Sequence, residues 1–149
     1  KSQMQHFIPQ PAPLKIKAIV RKESDFLQQA VEDKNLRINN EVPEDLVFNT
    51  DENFLSVIIR NLLQNSVKYS EENSTISISA DGREIQITNK TAAIRSAALN
   101  QLLQKDEVNS KSSGMGLQIA KDLAAAIHAK ILFRQPDDLH LTAVVSWDT

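Results

Sequence analysis

Three polar side chains recur at helical spacing within the segment from Asp51 to Ser70. Asn61, Asn65 and Lys68 are at positions i, i+4 and i+7, and at roughly 100° per residue they fall on one stripe of a helix. Amide oxygens suit a hard cation such as Mg²⁺, and a lysine ammonium suits phosphate oxygens. The spacing therefore indicates a helix that binds a metal ion and a polyphosphate. The alternative, which either asparagine alone would favour, is an ordinary polar helix surface.

The same segment carries a broad apolar stripe, which must face a core. Its members are Leu55, Ile59, Leu62, Leu63 and Val67. The three polar residues are therefore predicted to lie beside a buried helix face, where a binding site can be held in place by packing.

A glycine-containing turn holds a second set of candidate residues. Gly114, Gly116 and Leu117 open a predicted helix after a serine-rich turn. Glycine lets the backbone approach a phosphate, and the free N–H groups at a helix start favour an anion. An ordinary loop and helix cap would have the same residues, so this motif alone leaves both interpretations open.

Composition and charge restrict the class of protein. With 149 residues, 41% apolar and 24% charged, the chain has the size and composition of one globular domain. A net charge of −2 and the absence of a basic run argue against a nucleic-acid binder. The sequence has no cysteine, which excludes disulfides and thiolate chemistry. Because the chain begins at Lys1, we expect it to be part of a longer protein.

Hydrophobic periodicity predicts an α+β fold, a two-layer sandwich with a mixed sheet of about five strands and about three helices on one face. The predicted helices are Ile16 to Lys34, Asp51 to Ser70 and Met115 to Ile127, with Ile94 to Leu103 as a candidate short helix. The predicted strands are Leu36 to Val42, Leu46 to Asn49, Thr75 to Ala80, Glu84 to Thr88, Lys130 to Arg134 and His140 to Trp147. Asp81-Gly82 predicts a hairpin turn, and the prolines from Pro9 to Pro13 predict an extended lead-in.

Two of these segments resemble motifs of one family. RNLLQNSVKYS, Arg60 to Ser70, resembles the N box of sensor histidine kinases, and SSGMGLQIAKDLAAAIHAKILF, Ser112 to Phe133, resembles their second glycine-rich box. ITNKTAAI, Ile87 to Ile94, occupies the place of the first glycine-rich box. The order and spacing fit from about Leu14 to Trp147. The resemblance implies the Bergerat (GHKL) fold of gyrase, the ninety-kilodalton heat-shock chaperone and MutL, with an ATP-binding catalytic domain at 14–149 after a helix end and linker at 1–13.

The resemblance also implies an ATP site with Mg²⁺, in which Asn65 supplies an oxygen to the metal. The residues implied to bind ATP are Asn61, Asn65, Lys68, Tyr69, Asn89, Ile94, Lys111, Gly114, Gly116, Leu117 and Thr142. The segment from Lys105 to Ser113 resembles the lid over the nucleotide. Asn89 stands where the family carries an aspartate that accepts a hydrogen bond from the adenine amino group, and the glycines that normally follow are replaced.

The histidines do not match the phosphoacceptor of the family, which is followed by an acidic residue. His6, His128 and His140 precede Phe7, Ala129 and Leu141 respectively. The resemblance therefore implies transfer of the γ-phosphoryl group to a histidine on a dimerisation hairpin elsewhere in the parent protein. That parent is expected to be a homodimeric bacterial sensor, attached to the inner membrane through upstream segments, with this domain in the cytoplasm and a response regulator as partner.

Two other functions remain open at the level of the sequence. A degenerate module that holds nucleotide weakly or not at all is suggested by Asn89 and by the lost glycines. An anti-sigma-type serine kinase is suggested by the shared fold, and the segment before Lys1 would distinguish it from a histidine kinase.

Overall fold

The structure is a computed structural model that describes residues 8–91 and 113–147, with side chains from Leu117 onward in the second range. The strands are β1 (Ala12–Lys15), β2 (Arg37–Asn40), β3 (Val47–Thr50), β4 (Thr75–Ala80), β5 (Glu84–Lys90), β6 (Ala129–Asp137) and β7 (His140–Trp147). The helices are α1 (Ile16–Phe26), α2 (Gln28–Asp33), α3 (Glu52–Tyr69) and α4 (Ser113–Ala126).

Five of these strands form one mixed sheet in the order β2-β4-β5-β7-β6. β2 pairs with β4 in parallel, and the other pairs are antiparallel. Alternate residues of β4 and β5, Ile76 and Ile78 with Ile85 and Ile87, are fully buried in the core shared with the helices. The predicted α+β sandwich with a mixed five-stranded sheet is confirmed.

The first helical segment differs from the prediction, because the continuous helix expected from Ile16 to Lys34 is interrupted at Leu27. The hydroxyl of Ser24 donates to the carbonyl of Val20 at 2.8 Å, and the N–H of Leu27 donates to the Ser24 carbonyl at 3.0 Å. Serine back-bonding of this kind competes with the helical ladder and bends helices. The chain therefore forms α1 and α2 instead of one long helix.

The strand predicted near Leu46 to Asn49 does not join the main sheet. As β3 it pairs antiparallel with β1 in a separate two-stranded sheet, with Leu14 opposite Phe48. β1 includes Pro13, which lacks an N–H donor and is therefore accommodated at a sheet edge. Of the three prolines, Pro13 therefore lies in a paired strand, whereas Pro9 and Pro11 precede it.

α3 begins where the sequence predicts, because Asp51 caps it. Asp51 Oδ1 accepts a hydrogen bond from the N–H of Phe54 at 2.9 Å, while Oδ2 accepts one from the N–H of Gln10 at 2.7 Å. The predicted apolar stripe of α3 is buried throughout. α3 packs against α1, α4 and β5. Within the described ranges no helix, not even the 18-residue α3, is apolar enough over a sufficient length to cross a bilayer.

The connection between β4 and β5 gives a first prediction. Gly82 has no positive φ, and a Cβ added to it would meet nothing within 4 Å. We expect Gly82→Ala to be neutral or to raise the free energy of unfolding by up to about 1 kcal/mol, because alanine restricts the unfolded chain. Urea denaturation would measure this change. A loss of more than about 1 kcal/mol would show that the turn needs a conformation that only glycine adopts.

The same turn is held by Asp81, whose Oδ1 accepts hydrogen bonds from the N–H groups of Arg83 at 2.8 Å and Glu84 at 3.0 Å. These backbone hydrogen bonds lower the pKa of the Asp81 carboxyl. A lowered folded-state pKa means that the stabilisation is present above the unfolded pKa and is lost as the pH falls through the folded one. The turn should therefore weaken only under acid conditions.

Candidate functional site

The end of α3 is joined to the end of β5 by a short linkage. The N–H of Glu71 donates to the carbonyl of Lys90 at 2.8 Å, and the two side chains form an ion pair at 3.7 Å. Tyr69 and Asn89 therefore lie next to each other although they are far apart in the sequence.

A small cavity of about 20 Å³ lies at this junction. It is lined by Leu62, Asn65, Ser66, Tyr69, Asn89, Phe133, Leu141 and Ala143. Two amides and two hydroxyls stand among apolar and aromatic walls, and none of these described side chains is charged at neutral pH. Such walls suit an uncharged planar group rather than a phosphate. Because typical small-molecule pockets have roughly 300 Å³ or more, a ligand could enter only if the walls separate.

Asn89 is the most unusual residue of the cavity. It is only 2% exposed, and its side-chain Nδ2 has no hydrogen-bond partner. Two residues later, Thr91 is 1% exposed and its Oγ1 likewise has no partner. A buried polar group without a partner costs about 1–3 kcal/mol, so each such group in a native structure calls for an explanation. A ligand that accepts a hydrogen bond from Asn89 Nδ2 would explain why this group has no partner within the protein.

The polar stripe of α3 lies beside this cavity. Asn61 and Asn65 are half-buried, and their amides form no hydrogen bond with any other described residue. Lys68 is exposed, and its Nζ lies 5.4 Å from the centre of the Tyr69 ring. The structure thus places a cation and two available amides on the helix that forms one wall.

The last turn of α3 is fixed by a lysine from the end of α2. Lys34 Nζ donates to the carbonyls of Val67 at 2.8 Å, Lys68 at 3.0 Å and Ser70 at 2.7 Å. These carbonyls are the groups that a helix end leaves without partners, and a cation there also favours the helix dipole. Lys34 therefore holds the turn that carries Tyr69.

The middle of α3 is tied to α1 by a buried ion pair. Arg60 Nε donates to Glu23 Oε1 at 2.8 Å, and the Glu23 side chain is 1% exposed. The Arg60 guanidinium also lies over the ring of Phe26, 4.4 Å from its centre. Glu23 Oε2 has no hydrogen-bond partner, and it lies 3.9 Å from Lys22 Nζ.

Thr142 does not reach the cavity. In the antiparallel pair of β5 and β7, Thr142 is opposite Thr88 and their hydroxyls are 2.8 Å apart, whereas Leu141 is opposite Asn89. Successive strand residues point to opposite faces, so Thr142 lies on the face away from Asn89. Leu141 and Ala143 line the cavity in its place.

The remaining predicted residues lie in α4 or outside the described ranges. Gly114 and Gly116 belong to the first turn of α4, so they open a helix as expected, and Leu117 is 3% exposed in the core. Ile94 and Lys111, together with the predicted lid and the candidate short helix, lie outside the residues that the structure describes.

Several residues of the site were not among those predicted to bind ATP. Ser66, Phe133, Leu141 and Ala143 line the cavity, and Glu23 and Lys34 fix α3. Glu23 carries a signal in the sequence, because it stands in line with Val20 and Leu27 on the apolar face of the first helix. A carboxylate at such a position predicts a buried ion pair.

Among the described residues beside the cavity, asparagine side chains are the candidate ligands for a magnesium ion. Among the described residues no group of three histidine, cysteine, aspartate or glutamate side chains could hold a metal ion. Mg²⁺ keeps several waters and takes few ligands from the protein when it is bound with phosphates. The available amides of Asn61 and Asn65 fit that requirement.

Acid–base chemistry is not built into the cavity. The described carboxyls with a lowered pKa lie at the ends of hairpins. A hydrogen bond from Gln86 lowers the pKa of Glu84, and one from His140 lowers the pKa of Asp137. The backbone hydrogen bonds described above lower the pKa of Asp81. None of them lines the cavity. The arrangement can bind and orient a ligand, but among the described residues it offers no carboxylate or imidazole to abstract a proton.

Comparison with known proteins decides the family. Residues 50–146 match the family of histidine kinase-, DNA gyrase B- and HSP90-like ATPases. The chain belongs to this family. The match covers all of α3, β4, β5 and the strands behind the cavity, so the candidate site lies within the ATPase domain. The resemblance to the ATP-binding domain of sensor histidine kinases is thereby confirmed.

Individual relatives of this ATPase domain are sensor kinases. The chain is similar to the adaptive-response sensory kinase SasA of Synechocystis, at 27% identity over 89% of this chain and 39% of the relative. It is also similar to the sensor protein QseC of Salmonella typhimurium, at 25% identity over 80% of this chain and 27% of the relative. The chain therefore spans less than half the length of these two relatives.

The fold agrees with solved structures. The nucleotide-free catalytic domain of the histidine kinase ThkA matches with a TM-score of 0.70 at 17% identity, covering 92% of this chain and 95% of that one. At this identity the likeness concerns the fold, and it supports the assignment of the sandwich.

Proposed function

We propose that this chain binds ATP together with Mg²⁺ and donates the γ-phosphoryl group to a histidine on the dimerisation hairpin of its parent protein. One observation carries the proposal. In a domain of an ATPase family, a cavity between the end of α3 and β5 brings Asn65 and Tyr69 to the buried, unpartnered amide of Asn89.

The chemistry of the cavity supports its use as the site for the base of the nucleotide. The described lining residues carry no charge, Tyr69 and Leu141 offer apolar surface, and Asn89 offers hydrogen bonds to a heterocycle edge. The phosphates would lie outside this cavity, on the side of Lys68. The start of α4, with Gly114 and Gly116 in its first turn, would supply N–H groups to them.

The residues of α3 would position the reacting phosphate. Asn65, assisted by Asn61, would hold Mg²⁺ through amide oxygens, and Lys68 would pair with phosphate oxygens. Bound Mg²⁺ supplies charge neutralisation, which together with positioning does most of the work in phosphoryl transfer. Among the described residues no carboxylate or imidazole lines the cavity, which supports a nucleophile supplied by another segment.

The wider context is part of the same proposal. The acceptor histidine would be supplied by a dimerisation hairpin, and the phosphoryl group would pass on to a response regulator. The parent would be a homodimeric sensor held at a bacterial inner membrane by other segments, with this domain in the cytoplasm. The similarity to two sensor proteins that are much longer than this chain supports this context.

Titration of a fluorescent ATP analogue tests the proposal. We expect Asn65→Ala to weaken binding in the presence of Mg²⁺ by at least about tenfold, because the substitution removes a metal ligand and about 1.4 kcal/mol corresponds to that factor. Without Mg²⁺, the difference between Asn65→Ala and the wild type should shrink. Gln64→Ala, an exposed neighbour on the same helix, is the matched control and should bind like the wild type. Equal binding by Asn65→Ala and the wild type would contradict the proposal.

A second candidate function is favoured by the size of the cavity. At about 20 Å³ it is closed to a purine, and Thr91 brings a buried side chain two residues after Asn89. Both observations support a degenerate module that serves as a scaffold. The same titration separates the two functions, because a scaffold would show no saturable binding by the wild type at millimolar nucleotide.

A further inference from the structure

The hydrogen-bonding character of the cavity determines which heterocycle it can hold. Asn89 is the most deeply buried polar residue of its lining, and its Nδ2 has no partner. Its side chain forms no hydrogen bond with any other described residue. The amide is therefore available to a ligand as both a donor and an acceptor.

Purine bases differ at the edge that such an amide would meet. Adenine presents an amino donor at position 6 beside the acceptor N1, whereas hypoxanthine presents the acceptor O6 beside the donor N1–H. A carboxylate offers only acceptors and cannot pair with O6. An amide offers one donor and one acceptor, and rotation of its terminal torsion by 180° exchanges them. The same side chain can therefore match either edge.

Among the described residues, nothing else in the lining opposes this exchange. The other described side chains at the base site are apolar, or are hydroxyls and an amide that can donate as well as accept, and none of them is charged. The cavity must widen for either base, but the two share one ring skeleton, so the widening does not discriminate between them. Of the residues that the structure describes, Asn89 therefore sets the base preference.

We propose that the base site of this chain accepts 6-oxopurine nucleotides as well as 6-aminopurine nucleotides, because Asn89 pairs equally with either edge. The inference rests on the proposed function, since it assumes that a nucleotide occupies this cavity. It goes further by naming the substrate class as purine nucleoside triphosphates without selection at position 6.

Competition against a fluorescent ATP analogue, with ATP and inosine triphosphate as competitors, tests this inference. For the wild type we expect the two competitors to differ by no more than about threefold. For Asn89→Asp we expect ATP to be preferred by at least about tenfold, because a site that leaves a buried polar group unpaired rejects that ligand strongly. Asn49→Asp adds the same charge at an exposed position of β3, and should keep the wild-type ratio.

The outcomes are distinguishable. If the wild type binds ATP but prefers it over inosine triphosphate by tenfold or more, the inference is overturned and the proposed function stands. If the wild type binds no nucleotide, both fail. Should Asn89→Asp not fold, as its far-ultraviolet circular dichroism would show, the ratio for the wild type alone still decides between these results.

Discussion

Arg60→Ala is expected to lower the free energy of unfolding by about 3 kcal/mol, the lower end of the range for breaking a buried ion pair. Glu23 is 1% exposed, so the substitution leaves its carboxylate without a hydrogen bond in the core. The lower end of that range applies because the Arg60 side chain is 38% exposed, and solvent already weakens its attraction to Glu23. The guanidinium also loses its contact with Phe26. Urea denaturation followed at 222 nm would measure the change.

Two further variants show whether the buried charge is the cause. Arg60→Ala combined with Glu23→Gln removes the unpaired charge, so the double variant should be more stable than Arg60→Ala alone. Arg21→Ala removes an exposed arginine from α1 and should change stability by less than about 0.5 kcal/mol. If Arg60→Ala were as mild as Arg21→Ala, the pair would contribute nothing to the attachment of α3.

Lys34→Met is expected to lower the free energy of unfolding by about 2 kcal/mol. The methionine keeps most of the apolar stem but removes three hydrogen bonds to the carbonyls at the end of α3 and the favourable charge at its dipole. Amide hydrogen exchange in the last turn of α3 should rise more than in its first turn. Lys15→Met, at an exposed position of β1, is the matched control.

The Lys34 variant also has a functional consequence. The last turn of α3 carries Tyr69 and Lys68, which the proposal places at the base and the phosphates. Nucleotide affinity should therefore fall together with the order of that turn. An unchanged exchange pattern combined with unchanged stability would show that α3 ends correctly without this cap.

α3 could be predicted almost to the residue, because its signals are local. Asp51 is a capping residue directly before the apolar stripe, and the helix ends one residue before Ser70. The β4–β5 hairpin follows for the same reason, from strict alternation around Asp81-Gly82. In both elements the local sequence preferences and the long-range packing favour the same structure.

Other parts depend on contacts that the sequence does not display. The pairing of β1 with β3 joins segments more than 30 residues apart, and no local pattern specifies it. The break at Leu27 accompanies a hydrogen bond from the Ser24 hydroxyl to a backbone carbonyl, in place of one to solvent. Periodicity alone cannot weigh these competing hydrogen bonds.

Three of the residues predicted to bind ATP lie close together in the structure. Asn65, Tyr69 and Asn89 line one cavity, although the motifs that contain them are about 20 residues apart. Thr142, also predicted to bind ATP, lies on the face of the sheet away from Asn89, because a shift of one residue along a strand exchanges the two faces of the sheet. The position of Thr142 is set by the register in which β5 pairs with β7, and the sequence motif carries no information about that pairing.

The most direct test of the central claim is the behaviour of the Asn89 side-chain amide in a ¹H–¹⁵N correlation spectrum during titration with ATP and Mg²⁺. The Asn89 NH₂ signals can be assigned by their loss in Asn89→Asp. We predict that these signals shift progressively and saturate with the same affinity as the signals of the α3 end. Binding that leaves the Asn89 amide unshifted, or no binding at all, would contradict the assignment of this cavity to the base of ATP.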